Sequence, residues 1–285
     1  MSPLPTLLRS VLAPRLGVLL AALLGAAAPL HAQTSAPPGP VVEIPSRDGV
    51  SEKFLYLPAA QARATVILFA GGHGGLQLLD DGSMKWGNGN FLVRTRAQFV
   101  AQGFNVAVLD APSDRQSAPF LTGFRQTAEH VADVRAVIAW LRRHSPVPVW
   151  LVGTSRGTQS AAYVATRLAP PDGPDGLVLT SSILTDPRGQ AVPELDLSTL
   201  AIPVLVVHHR DDGCKLCSPG YLPRLMDKLG ATPRHELLLV EGGSSQGDPC
   251  EAWAYHGYNG KEAEVVGAIA AWIGGAGSGP SASSR

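Results

Sequence analysis

The sequence has no excess of charge of either sign, because its 285 residues include 23 Lys and Arg against 23 Asp and Glu. A chain without net charge produces no field that would draw it to nucleic acid or to an anionic membrane surface. We therefore expect no nucleic-acid partner. Internal repeats and a second region of distinct composition are also absent, so the sequence predicts one domain, at residues 41–273, with a substantial core.

The sequence also lacks an apolar run of the length that membrane-spanning helices need. Its longest, residues 16–30, has about fifteen residues, whereas a helix needs roughly twenty to cross a bilayer. Arg9 and Arg15 precede this run and the small residue Ala32 follows it, which is typical of an export signal. We expect a signal peptide at residues 1–32, no stable membrane insertion after its cleavage, and a periplasmic or secreted product. An uncleaved membrane anchor is the alternative.

Both flanks of the predicted domain are poor in residues that could form a core. A Pro-rich linker is predicted at residues 33–40 and a disordered tail, rich in Gly and Ser, at residues 274–285. The folded part of the chain should therefore lie between them.

One short motif is typical of a nucleophile. Gly153-Thr154-Ser155-Arg156-Gly157 follows an apolar run at residues 147–152 and precedes apolar residues at helical spacing in residues 161–168. So sharp a turn from strand to helix leaves no room for a Cβ at either flank, which explains the two glycines. The turn would direct the Ser155 hydroxyl out of the sheet. A chance match is the alternative, because the chain contains 31 Gly.

Apolar runs recur along the chain with helical stretches between them, which predicts a mostly parallel, eight-stranded α/β sheet with helices on both faces. The predicted strands are residues 41–45, 52–57, 64–70, 105–110, 148–154, 177–181, 203–208 and 236–240. The first two, joined at Asp48-Gly49, should form a hairpin. We also expect a helix at residues 91–102 and a last helix capped by Asn259, with Glu262 reaching back.

Four segments together resemble the α/β-hydrolase superfamily. They are the glycine-rich loop at residues 70–75, the serine turn, Asp211-Asp212 after a late strand, and His256-Gly257-Tyr258 before the last helix. Within the superfamily, residues 41–273 are similar to exported bacterial serine hydrolases of the dienelactone hydrolase kind. The resemblance implies an α/β-hydrolase fold and a serine hydrolase that cleaves carboxylic esters or lactones, with neither a cofactor nor a metal.

The resemblance also implies a catalytic triad in the order Ser155, Asp212, His256. A serine hydroxyl needs a base within hydrogen-bond reach, and that base needs an acid that fixes its tautomer. Asp211 competes with Asp212. Asp212 is favoured because relatives usually place the acid three residues after a glycine, a position that His209 takes here. For His256, whose role rests on the resemblance, a surface-loop position is the alternative.

Acyl transfer places negative charge on the carbonyl oxygen, and two backbone N–H donors would stabilise it. One donor should be the N–H of Arg156, and the other should come from the glycine-rich loop, at Gly72, with His73 as the next choice. A merely flexible turn is the alternative reading of this loop. The Arg156 side chain could attract a substrate carboxylate or form an internal salt bridge.

Cysteine is scarce, with only Cys214, Cys217 and Cys250. Export permits disulfides, and we predict one between Cys214 and Cys250, which would tie the loops of Asp212 and His256 together. A Cys214–Cys217 redox pair and a zinc site are the alternatives, although the chain has no second Cys pair.

The segment at residues 183–203 is too short for a full lid domain, so the site should be open. An open cleft favours hydrolysis of exposed small-molecule esters or lactones. A peptidase or an acyltransferase would share the covalent first step, and a catalytically inactive binding module would share only the fold.

Overall fold

The computed structural model describes residues 40–275. The predicted signal peptide, the predicted linker up to residue 39 and the tail from residue 276 lie outside the described residues. Within residues 40–275, no helix is both long enough and apolar enough to cross a membrane.

The chain forms one sheet of eight strands in the order β1-β2-β4-β3-β5-β6-β7-β8. Only the β1–β2 and β2–β4 pairs are antiparallel; the other neighbours run parallel. The strands are β1 (Val41–Arg47), β2 (Val50–Leu57), β3 (Ala64–Phe69), β4 (Phe104–Leu109), β5 (Val149–Thr154), β6 (Gly176–Thr180), β7 (Val204–His209) and β8 (His235–Val240). The predicted sheet and its first hairpin are confirmed.

Six helices accompany the sheet within the described residues: α1 (Phe91–Arg94), α2 (Arg96–Ala101), α3 (Ala128–His144), α4 (Gly157–Arg167), α5 (Leu222–Lys228) and α6 (Glu262–Ile273). Apolar side chains of α3, α4 and α5 share a buried cluster on one face of the sheet. Those of α1, α2 and α6 share another, on the opposite face. Because both faces are covered, every residue of β3, β4, β5 and β7 is buried.

The helix predicted at residues 91–102 is divided in two at Thr95. The Thr95 hydroxyl donates to the carbonyl of Phe91 at 2.7 Å, and its backbone, at φ −96° and ψ 2°, leaves the helical range. Threonine that bonds back to the fourth preceding carbonyl bends helices. An apolar stripe does not reveal such a break.

The predicted cap of the last helix is wrong. α6 begins after Lys261 and has no side-chain cap. Gly260, at φ +81°, turns the chain between Asn259 and the helix. Asn259 instead donates to the hydroxyl of Ser244 and to the carbonyl of Trp253, both at 2.9 Å. Glu262 pairs with Arg94.

Within residues 183–203, which are all described, the chain forms two short 3-10 turns, Val192–Glu194 and Leu197–Thr199, and no α-helix. The carboxyl ends of the strands are therefore not covered by a helical lid from this segment. β5, β6 and β7 end at this edge in parallel register, with Thr154 beside Thr180 and Thr180 beside Val207.

Candidate active site

Ser155 lies on the turn between β5 and α4, as predicted. Its φ of 51° is left-handed, a strain of about 1–3 kcal/mol that persists only where the surroundings impose it. A Cβ on Gly153 would lie 2.5 Å from the carbonyl oxygen of Gly157, and one on Gly157 would lie 2.1 Å from that of Phe69. The two flanking glycines are therefore required by the helix on one side and by β3 on the other.

Asp212 and His256 form a buried pair. The Nδ1 atom of His256 lies 2.8 Å from Oδ2 of Asp212, and both residues are buried. The other carboxylate oxygen accepts from the backbone N–H of Cys214 at 2.9 Å. Asp211 is exposed. Of the two candidate acids, Asp212 is thus the one that contacts the histidine.

Ser155 and His256 line the same cavity, of about 370 Å³, at the carboxyl ends of the strands. The Nε2 atom of His256 is buried and has no hydrogen-bond partner among residues 40–275, the Ser155 hydroxyl included. With Nδ1 donating to Asp212, Nε2 presents a lone pair. Contacts between nucleophile and base are often long before substrate binds, so this arrangement suits a base that awaits a proton.

Two residues to which no motif assigns a role fix the backbone around His256. The hydroxyl of Ser181 donates to the carbonyl of His256 at 2.7 Å. The hydroxyl of Tyr258 donates to the carbonyl of Val207 and accepts from the backbone N–H of Ser181. The residue after β6 and the end of β7 therefore hold the histidine loop, through contacts that sequence spacing does not show.

A second histidine, His208, lies beside the acid. Its Nε2 is 2.7 Å from the carbonyl oxygen of Cys217 and 3.5 Å from Oδ2 of Asp212. Burial lowers the pKa of His208, so the ring is neutral at pH 7 and donates through Nε2. His208 comes before the acid in the chain, and the Ser, Asp, His order therefore did not identify it as a neighbour of the site.

The start of the glycine-rich loop packs directly on the serine turn. A Cβ on Gly71 would lie 3.0 Å from Cβ of Ser155, and one on Gly72 would lie 2.6 Å from the ring of Trp86. Gly72 has a φ of +56°, a left-handed conformation that residues with a Cβ rarely adopt. The loop approaches the serine this closely because Gly71 lacks a side chain.

The second half of the loop is equally packed. A Cβ on Gly74 would lie 2.4 Å from Nη2 of Arg125, and one on Gly75 would lie 2.1 Å from the ring of Phe120. His73 stacks on Phe120 with ring centroids 4.4 Å apart and accepts from the N–H of Gly75 at 3.1 Å. These contacts argue against a flexible turn, and they give His73 the role of holding the loop.

Gly72 and Arg156, the predicted oxyanion donors, both line the cavity beside Ser155. Within residues 40–275, neither backbone N–H is used in a hydrogen bond. Two backbone donors without a partner, on residues that line the cavity, are the kind of group that stabilises a negatively charged oxygen.

No protein-family model matches the sequence, and no curated protein matches it. Solved structures do. An α/β serine hydrolase homologue from Coxiella burnetii has a TM-score of 0.59 at 16% identity, covering 84% of this chain and 99% of its own. An α/β serine hydrolase without a lid, from Xanthomonas campestris, has a TM-score of 0.55 at 18% identity, covering 85% and 98%. Dienelactone hydrolase from Anabaena variabilis has a TM-score of 0.55 at 14% identity, covering 84% and 99%. The chain has the α/β-hydrolase fold.

A disulfide ties this α/β-hydrolase fold together at the site. Cys214 and Cys250 are bonded, with a Cα–Cα distance of 4.5 Å and a separation of 36 residues, so the predicted pairing is confirmed. Both cysteines line the cavity. The bond joins the loop after Asp212 to the loop before His256.

Cys217 is a free, buried cysteine, and burial raises the pKa of its thiol. The ligand atoms of Cys214, Cys217 and His256 lie within 4.8 Å of one another. The disulfide already occupies the sulfur of Cys214, however. Of the group that the zinc alternative would use, only Cys217 and His256 therefore remain as free ligands. The same bond makes the alternative Cys214–Cys217 pairing wrong.

The Arg156 side chain forms an internal salt bridge. Its Nη1 donates to Oδ2 of Asp186 at 2.6 Å and to Oε1 of Gln159 at 3.2 Å. Although burial raises it, hydrogen bonds from the Arg156 side chain, the Arg188 backbone and the Gln159 side chain lower the pKa of Asp186. Of the two roles expected for the Arg156 side chain, binding a substrate carboxylate or forming an internal salt bridge, the structure contains the salt bridge.

Loss of the disulfide should destabilise the α/β-hydrolase fold. The double variant Cys214→Ser/Cys250→Ser frees a loop of 36 residues, which costs about 4 kcal/mol in the chain-entropy model. Urea unfolding monitored by circular dichroism measures this change in the free energy of unfolding. Cys217→Ala, which keeps the bond, is the control. A Cys214–Cys217 link in peptide mass spectrometry of the unreduced protein would contradict the assignment.

Proposed function

We propose that the chain is a serine hydrolase that cleaves carboxylic esters or lactones through an acyl-enzyme. The observation that carries this proposal is the 2.8 Å contact between Asp212 and Nδ1 of His256, with Nε2 of that histidine left free beside the cavity that Ser155 lines. A base oriented by a buried carboxylate is what a weakly acidic serine hydroxyl requires.

In the proposed reaction, Oγ of Ser155 attacks the carbonyl carbon while Nε2 of His256 takes the hydroxyl proton. Asp212 stabilises the imidazolium that forms. The carbonyl oxygen becomes an oxyanion and accepts hydrogen bonds from the N–H groups of Gly72 and Arg156. When the intermediate collapses, the bond to the leaving alcohol breaks and the imidazolium returns the proton to it.

Water completes the cycle. It attacks the acyl carbon as His256 again takes a proton, and the acid is released with Oγ of Ser155 reprotonated. In a lactone, the leaving alcohol stays attached to the acyl group, so the same steps open the ring.

The cavity suits a small, largely uncharged ester. The positive charge of Arg156 is neutralised by Asp186, and Glu251 is the other charged residue among those that line the cavity. The larger neutral side chains there are Trp86, Asn90, Phe91, Ile183, Leu216 and Trp253. Among solved structures of similar shape, a cold-adapted esterase and dienelactone hydrolase support an ester or lactone substrate.

A periplasmic or secreted location accompanies this proposal. Disulfides persist in oxidising compartments, and the bond between Cys214 and Cys250 is compatible with export. Cleavage after Ala32 would leave Gln33 as the first residue, which N-terminal sequencing of the exported protein checks. A full-length product retained in the membrane fraction would contradict cleavage.

A fluorophosphonate probe tests the nucleophile. We expect the wild-type protein to be labelled and Ser155→Ala to be unlabelled, because the probe bonds to an activated serine oxygen. Gel fluorescence measures the labelling. Ser198→Ala, which alters an exposed serine outside the cavity, should be labelled like wild type. A folded wild-type protein that resists the probe would support the inactive binding module instead.

Substitution of the two neighbouring aspartates tests the acid. Asp212→Ala removes the group that fixes the tautomer of His256, and we expect kcat on p-nitrophenyl acetate to fall about 10⁴-fold. Asp211→Ala, at an exposed position, should retain kcat within a few-fold. The reverse result would make Asp211 the acid.

A further inference from the structure

Arg125 is a buried arginine without an acidic partner. It is 5% exposed, and among residues 40–275 no carboxylate lies within salt-bridge distance of it. Burial, followed by repulsion from Arg156, lowers the pKa of Arg125 to about 9, so the side chain is still a cation at neutral pH. Burying an unpaired charge is costly, and its retention here calls for a compensating role.

One nitrogen of the guanidinium forms hydrogen bonds with the glycine-rich loop. Nη2 donates to the carbonyl of Ala70 at 3.1 Å and to that of Gly72 at 3.2 Å. These two carbonyls belong to the peptide groups on either side of the Gly71–Gly72 peptide. The intervening peptide, which carries the N–H of Gly72, is thereby held between two anchored neighbours.

The same guanidinium also reaches the helix that follows the nucleophile. Nη1 donates to the hydroxyl of Ser160 at 2.9 Å. Ser160 lies on α4, one helical turn after Arg156, whose N–H is the other proposed oxyanion donor. Gly74 lacks the Cβ that would lie 2.4 Å from Nη2, so the loop leaves the space through which Arg125 bridges its two targets.

We propose that Arg125 is a positioning residue of the active site, which fixes the distance and orientation between the N–H groups of Gly72 and Arg156. The inference rests on the proposed function, because it assumes that these two groups bind an oxyanion. The fork of an arginine bonds both segments at once, which the single ammonium of a lysine does not. Charge-assisted hydrogen bonds are about twice as strong as neutral ones.

The buried charge has a second consequence for the same step. A cation bonded to the carbonyls of the loop adds positive potential where the carbonyl oxygen of the substrate becomes negative. Both effects act on the transition state more than on the bound ester. Loss of the guanidinium should therefore lower kcat and leave KM nearly unchanged.

Arg125→Lys keeps the charge and removes the fork. We expect kcat on p-nitrophenyl acetate to fall about 10- to 100-fold with KM within about twofold, since displacements near 1 Å cost this much in catalysis. The rate of fluorophosphonate labelling should fall in parallel, because the phosphoryl oxygen of the adduct occupies the oxyanion position. Ser160→Ala, which removes only the bond to α4, should give a smaller loss of kcat.

Arg142→Lys is the matched control. Arg142 also donates to a backbone carbonyl, that of Gly173 at 2.8 Å, and pairs with Asp175, but it lies outside the residues that line the cavity. We expect its kcat to equal that of wild type. Circular dichroism melting identifies a temperature at which every variant is folded, and rates are compared there.

The outcomes separate the two proposals. A folded wild-type protein that the probe does not label would overturn the proposed function and, with it, the role of Arg125. A labelled wild type, with both Arg125→Lys and Ser160→Ala reacting at the wild-type rate, would overturn the role of Arg125 alone. If Arg125→Lys does not fold, Ser160→Ala decides: an unchanged kcat contradicts the proposal and a reduced one, at unchanged KM, supports it.

Discussion

Three neighbouring parallel strands end at one edge of the sheet, and the candidate site depends on that alignment. β5 leads into Ser155, and β7 leads into the loop of Asp212, with β6 paired between them. Carboxyl ends of parallel strands share an edge, so residues far apart in sequence meet there. The histidine comes from a loop that follows the last strand and reaches an aspartate 44 residues earlier.

The loops at this edge are held by contacts of several kinds. The disulfide between Cys214 and Cys250 joins the aspartate loop to the segment before the histidine, and the bonds of Ser181 and Tyr258 fix the backbone beyond it. A functional constellation must be held within about 0.5 Å of its productive geometry, and loops, which are otherwise the most mobile parts of a fold, need such support. The covalent bond limits how far the two loops separate, and the hydrogen bonds orient them.

The glycine-rich loop is held in a different way, by neighbouring side chains that pack against its glycines. Gly72, Gly74 and Gly75 lack side chains, so the ring of Trp86, the guanidinium of Arg125 and the ring of Phe120 occupy the space where their Cβ atoms would lie. A segment that would be mobile in isolation is thereby made rigid by its surroundings. The backbone N–H of Gly72, a residue that lines the cavity, is left without a hydrogen-bond partner among residues 40–275, and a rigidly held donor is what the proposed oxyanion site requires.

By itself, the sequence determined the features that arise from local or strictly periodic constraints. Apolar runs predicted the eight strands, because a sheet covered on both faces accepts little else, and the glycines around Ser155 predicted the turn, because no other residue fits it. The tertiary structure decided what depends on distant neighbours. It divided the helix at Thr95, turned Asn259 away from α6, and brought Asp212 rather than Asp211 to His256. It also placed Arg125 under the loop, since the burial of a charge and the choice of its partners depend on packing between segments that the order of residues does not reveal.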